Sequence, residues 1–428
     1  MTAELGLLNK SNVILAADSA VTIGAHNKVF NTANKLFPLS NFEPVGIMIY
    51  NNSEWMGIPL EIIIKSYTKQ LNDTSFSTLE EYRNDFIKFI KLNFKKFINE
   101  EQIKQIIEFR LYSVLDNITD FLEEDLNEEI NELQSKKEDF NLLELKEKVF
   151  FEMIDELSKY KDDILPEFGE YTIDEFKLEY KKVIEKILPG FFSSIKIKKS
   201  QKLTQRIYKC IYHELICAFS DNEDFSGLVI AGYGYDEIFP SISEIKLGEI
   251  ISNKLRYEIS KTKNIDNNLT ALICPFAQRD MVDTFVKGIN PYFFECLEDI
   301  LLENIKHSID EIEKEIPDIN KELLTQKLLK IIPKTLRDLD KKSFDTHTKL
   351  IVKSISYLRK EDLIEFAESL INLTSIKRKT SSELQSVGGP IDIAVITKHE
   401  GFIWIKRKEN IDRKFNSAYY NREFKKIQ

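Results

Sequence analysis

The order of patterns along the chain predicts an α+β fold in which sheets are sandwiched between helical layers. Three observations carry this expectation. Short apolar, strand-like runs fill the first fifty residues, strand character returns between Gly227 and Pro275, and the chain closes on a hairpin pattern. Between them lie two long blocks in which apolar residues recur at helical spacing. Strands, helices, strands, helices, strands is an order that suits one layered domain with its first helical block enlarged.

The opening runs are Leu5–Leu8, Val13–Ala17, Lys35–Leu39 and Val45–Tyr50, broken by polar turns such as Asn9-Lys10-Ser11-Asn12. From residue 58 to 218 the pattern is helical, with Phe86, Ile90, Phe94 and Phe97 at three- and four-residue spacing. Ser77 with Glu80, and Thr172 with Glu175, have the spacing of capping boxes that open two of these helices. The mixed charges of Glu123–Lys137 fit a solvated helix face. Strand patterns follow at Gly227–Ala231, Ile238–Ile245, Arg256–Ser260 and Leu269–Pro275. A second helical block runs from Met281 to Lys377 with expected interruptions near Pro317 and Pro333. The closing hairpin is Ile391–Thr397, a turn at His399-Glu400-Gly401, and Phe402–Lys406. The expected organisation is therefore a core at 1–57, 219–280 and 379–407, helical insertions at 58–218 and 281–378, and a basic tail at 408–428.

Composition narrows the function classes. At 428 residues the chain exceeds the usual size of a single core, so large insertions or two domains are expected. A 43% hydrophobic share, with 16 Tyr and 29 Phe, describes a folding chain rather than a disordered one. The formal charge of −10 argues against DNA or anionic membranes as the main partner. Four widely spaced cysteines form no disulfide framework, and no stretch has the length and apolarity of a membrane span, so a cytoplasmic location is expected.

The chemistry is expected at the amino end. Methionine aminopeptidases remove Met before a small residue, which would free Thr2 with a hydroxyl nucleophile and an amine base in one residue. After Thr2 come a strand, a turn and a second strand ending in Ala16-Ala17-Asp18-Ser19, then Asn34-Lys35-Leu36-Phe37. This stretch resembles the opening of proteasome β-subunits and of the peptidase subunit of the bacterial two-component ATP-dependent protease. In that family an acidic residue stands sixteen positions after the N-terminal Thr, as Asp18 does here, and a Lys precedes an apolar pair, as Lys35 does with one inserted residue. At the other end, Gly388-Gly389-Pro390-Ile391-Asp392-Ile393-Ala394-Val395-Ile396-Thr397 resembles the family's glycine pair and final strand.

The resemblance implies a four-layer αββα sandwich of the N-terminal-nucleophile hydrolases and a threonine-type amide hydrolase, a peptidase acting through an acyl-enzyme on Thr2. It further implies a catalytic set of Thr2, Asp18 and Lys35, with Asn51 standing where the family places a glycine whose N–H binds the oxyanion. Glu383 and Ser386 stand nearest the family's supporting acid and serine, one residue out of register. No serine matches the one that follows the middle strands; Ala277-Gln278 occupies that neighbourhood. A peptide or protein substrate, a homo-oligomeric assembly and a partner ATPase belong to the same implication, with no cofactor and no metal. Two alternatives stay open: a small-molecule amidase or acylase on the same fold, and a catalytically degenerate assembly or recognition module.

Other patterns point to structure. Gly232-Tyr233-Gly234 lacks the third glycine and following helix of a dinucleotide loop and reads as a hairpin connection. Cys210, His213 and Cys217, with no partner motif, read as packed side chains. The basic segment Arg407–Lys426, interleaved with Phe415, Tyr419 and Tyr420, reads as a solvated terminal helix.

Overall fold

A computed structural model of the chain describes residues 3–23, 28–30, 33–136, 139–159, 164–220, 223–316, 320–380 and 388–408. The chain opens with β1 (Glu4–Asn9) and β2 (Val13–Ala17), a small hairpin β3 (Val21–Ile23) and β4 (Lys28–Phe30), then β5 (Leu36–Pro38), β6 (Val45–Asn51) and a second small hairpin β7 (Glu54–Trp55) and β8 (Ile58–Pro59). Six helices follow: α1 (Leu60–Leu71), α2 (Leu79–Phe97), α3 (Glu100–Lys136), α4 (Leu142–Leu157), α5 (Ile173–Ile195) and α6 (Gln201–Ile216). Strands β9 (Ser226–Gly232), β10 (Ser241–Ile251), β11 (Lys254–Ile259), β12 (Lys263–Asn264) and β13 (Ala271–Ala277) come next. Helices α7 (Arg279–Lys287), α8 (Pro291–Glu315), α9 (Lys321–Leu329), α10 (Ile331–Ser343), α11 (Lys349–Ile355) and α12 (Lys360–Thr380) lead to the closing strands β14 (Asp392–Thr397) and β15 (Gly401–Lys406).

The fold is mixed α+β with two antiparallel sheets. One has the order β13-β1-β2-β14-β15, the other β11-β10-β9-β6-β5 with β12 on β10. Alternate residues of each strand pack in opposite directions. Leu8, Val13, Leu15 and Ala394 of the first sheet share a buried cluster with Met48, Tyr50, Val229 and Ile242 of the second, so the two inner faces meet. Leu5, Leu7, Ile14 and Val395 point the other way, onto Leu363, Ala367 and Leu370 of α12 and Val282 of α7. On the far side of the second sheet, Ile47, Ile49, Leu228 and Ile230 pack against α1 and α2 through Ile63, Tyr67, Tyr82 and Phe86. Both faces of each sheet are thus covered, which is why β2 (Val-Ile-Leu-Ala-Ala) is apolar at every position and buried throughout. A one-residue slip of β1 would turn Leu5 and Leu7 away from α12, so the burial pattern fixes the register.

Helices α3 to α6 build a separate core around Leu111, Phe150, Phe176, Ile184 and Ile211. A buried charge network joins this block to the second sheet. Arg256 of β11 pairs with Glu223, which also pairs with Arg110 of α3, and Arg110 lies 3.6 Å from Glu214 of α6. Among the described residues no helix is long and apolar enough to cross a membrane.

Two details of the sequence expectations change. The first capping box is formed by Thr78 with Glu81, not Ser77 with Glu80: Thr78 Oγ1 accepts from the Glu81 N–H at 3.3 Å and Glu81 Oε2 from the Thr78 N–H at 3.2 Å. Ser77 is tied instead to the loop after β9, its carbonyl accepting from the Asp236 N–H at 3.0 Å. The interruption expected near Pro333 is present: α9 ends at Leu329 and α10 begins at Ile331, which puts Pro333 in the first turn of α10, where an N–H has no intrahelical acceptor to lose; Pro317 lies outside the described residues. Lys408, assigned to a solvated tail, is buried against Asp392; charge counting does not reveal a carboxylate contributed by another segment. The rest of that tail, from residue 409, lies outside the described residues. At Gly232-Tyr233-Gly234 the chain leaves β9 to pair back as β10, a hairpin connection as expected.

Candidate active site

The turn between β1 and β2 sets the site's register. The Asn9 N–H donates to the Asn12 carbonyl at 3.0 Å, and Asn9 Oδ1 accepts from the N–H groups of Ser11 and Asn12, both at 3.0 Å. From that turn the pairing runs to Glu4 opposite Ala17. It leaves Asp18 just past the end of β2 and beside Ala3. The Asp18 N–H donates to the Ala3 carbonyl at 3.1 Å, and the Ala3 N–H donates to Asp18 Oδ1 at 3.2 Å.

Lys35 comes from the segment entering β5, where its carbonyl accepts from the Ile49 N–H of β6 at 2.8 Å. Its Nζ lies 2.7 Å from Asp18 Oδ1 and 3.0 Å from Glu4 Oε1. The Lys35, Asp18 and Glu4 side chains are 3%, 1% and 0% exposed. Burying such charges is tolerable only with this quality of pairing, because each ion loses its hydration. The other oxygen of Asp18, Oδ2, accepts from the Gly388 N–H at 2.9 Å. The structure therefore brings the amino-terminal and carboxyl-terminal motifs onto one carboxylate across 370 residues of chain.

A second buried ammonium braces the same corner. Lys408 Nζ donates to Asp392 Oδ2 at 2.9 Å, to Ser19 Oγ at 3.0 Å and to the Ala33 carbonyl. Ser19 Oγ in turn donates to the Pro390 carbonyl at 2.6 Å. The neighbours of Asp18, of Lys35 and of the glycine pair are thus tied to one cation.

Asn51 ends β6, two residues beyond the Ile49 that holds Lys35 and so about 7 Å further along the strand. Its φ of 61° lies in the left-handed region. Asn is among the few non-glycine residues that adopt this conformation readily, so the backbone can take the shape a glycine would take there. Its side-chain amide donates to the Phe225 carbonyl at 3.0 Å, holding the strand end. Thr2, Glu383 and Ser386 lie outside the described residues. Of the expected site residues, Asp18 and Lys35 meet directly, and Asn51 stands at the end of the strand paired to the Lys35 segment.

Glu4 and Lys408 are the site residues that sequence reasoning missed. The signal for Glu4 was a lone carboxylate in a strand otherwise apolar up to Asn9; for Lys408 it was Asp392, a carboxylate inside the otherwise apolar run Ile391–Ile396. Beside the site, on the inner face, burial and then the adjacent Glu244 carboxylate raise the Tyr50 phenol far above its ordinary value. A cavity of about 550 Å³ follows edge strand β13, lined by Glu244, Lys263, Cys274, Phe276, Arg279 and Asp283. Glu4, Asp18 and Lys35 do not line it, but Phe276 adjoins Ala277, the pairing partner of Glu4.

Compared with known proteins, the sequence matches no protein-family model and no curated relative.

Proposed function

We propose that the chain is a threonine-type N-terminal-nucleophile amide hydrolase, a peptidase of the proteasome type whose nucleophile is Thr2 after removal of Met1. The observation that carries this is the Ala3–Asp18–Lys35 arrangement. The Ala3 nitrogen bonded to Asp18 is the atom that joins Ala3 to Thr2. For this chemistry Thr2, the residue joined to that nitrogen, must reach the buried Asp18–Lys35 pair.

In this mechanism Thr2 Oγ attacks the substrate carbonyl while its own α-amine, directly or through water, accepts the proton. Lys35 stabilises negative charge developing at Oγ, and Asp18 holds the ammonium in place. The Asn51 N–H donates to the oxyanion. Collapse expels the amine and leaves an ester on Thr2, which water then hydrolyses. The covering of both sheets by helices supports the four-layer αββα assignment. A peptide or protein substrate, ring-like self-assembly, a partner ATPase and a cytoplasmic setting belong to the same proposal.

The test is the intact mass of protein made without an amino-terminal tag, before and after exposure to a threonine-reactive β-lactone. Loss of one Met followed by a single adduct on Thr2, absent in Thr2→Ala, is the expected result. Retained Met1 would remove the amine base and turn the proposal toward an assembly or recognition module.

A further inference from the structure

We infer that Glu4 is a positioning residue for the proposed nucleophile, setting the pH at which the α-amine of residue 2 becomes a base. This inference rests on the threonine-hydrolase proposal and deepens it. The supporting geometry lies in the described residues. Glu4 Oε1 is 3.0 Å from Lys35 Nζ on the side not taken by Asp18, with the Glu4 side chain 0% exposed. The pairing of Glu4 with Ala17 on one neighbour strand and Ala277 on the other fixes its backbone from both sides.

The effect follows from charge. A Lys35–Asp18 pair alone is neutral, so it places no net charge beside an adjacent amine. Counted over the described residues, Glu4 as a second carboxylate gives the cluster one net negative charge, which favours the ammonium form of residue 2 and delays its action as a base. Among the described residues, the other groups facing this corner do not reverse the sign. Tyr50 of β6 stays protonated and donates to Glu244 of β10. Lys408 is matched by Asp392. Past the end of β13, Arg279 pairs with Asp283 at 3.5 Å and Asp280 with Lys377 at 2.6 Å and Arg378 at 3.2 Å.

The experiment measures the rate of β-lactone acylation of Thr2 against pH, in the full-length protein and in Glu4→Gln. In this step Oγ forms a bond to the lactone carbonyl, the ring C–O bond breaks, and the Oγ proton passes through the amine to the departing alkoxide. The expected result is an acid limb displaced downward by about one pH unit in Glu4→Gln, with acylation at low pH faster by about tenfold. Glu4→Asp, which keeps the charge, retains the original limb. Should Glu4→Gln fail to fold, Glu4→Thr removes the same charge with a residue suited to a strand. An adduct that forms in both proteins with one shared limb would overturn the role of Glu4 and leave the nucleophile standing. No adduct in the unsubstituted protein with Met1 removed would overturn both.

Discussion

Replacing Lys35 by Met strands two carboxylates in the interior of the molecule. Asp18 and Glu4 lie 2.7 and 3.0 Å from the ammonium that the change removes, and their side chains are 1% and 0% exposed. Asp18 keeps the Ala3 and Gly388 N–H donors, so its loss is partial. Breaking a buried ion pair by removing one partner costs about 3–5 kcal/mol, and the expected loss of stability at neutral pH falls in that range. The deficit is electrostatic and has a definite sign with pH. A stranded carboxyl takes up a proton more readily in the folded variant than in its unfolded chain, so the variant's stability falls as pH rises and the deficit shrinks on acidification. The assay is urea unfolding at pH 7 and pH 5, followed by far-ultraviolet circular dichroism with matched m-values. A combined Glu4→Leu, Asp18→Leu, Lys35→Met variant, which removes the charges together, should recover much of the loss while remaining inactive. A Lys35→Met loss below about 1 kcal/mol, or one independent of pH, would refute the claim that the triad is a buried charge cluster.

Two further outcomes test the surrounding structure. A Cβ at Gly227 would lie 2.2 Å from the Tyr50 ring of the neighbouring strand, so Gly227→Ala must displace Tyr50 from Glu244; we expect a loss of about 1–3 kcal/mol by chemical unfolding, and a neutral result would contradict the packing of Tyr50 across β9. At Asp280, burial alone would raise the carboxyl, but Lys377 and Arg378 hold it below the ordinary value. Its stabilisation is present above the unfolded value of about 3.9 and is lost as pH falls through the lower folded value. Asp280→Asn should therefore flatten that part of the thermal-stability profile below about pH 4, and an unchanged profile would remove the α7–α12 clamp.

Several elements were legible in the sequence because their causes are local. Val13–Ala17 is a strand at the residues its apolar run indicated, and the Thr172–Glu175 capping box forms as its spacing required. Asp18 and Lys35 could be paired through a resemblance of spacing, and that pair is seen in the fold. Where expectation and structure differ, a segment beyond the local pattern had intervened. Ser77 lost its cap role to Thr78 because the loop after β9 engages its carbonyl, and Lys408 left the solvated tail because Asp392 faces it.

By itself the sequence determined which segments alternate at period two or at helical spacing, where the chain turns, and which carboxylate and lysine stand in a spacing worth testing. Those properties depend on residues within a few positions of one another. Only the tertiary structure decided that Gly388 donates to Asp18, that Glu4 shares Lys35, and that Lys408 ties Ser19, Ala33 and Asp392 together. Apart from Lys408–Asp392, which lies within the closing hairpin, each of these contacts closes a buried charge with a group from a remote part of the chain. Their existence follows from the cost of leaving such charges unpaired away from water, and their partners from the sheet register that brings the segments side by side.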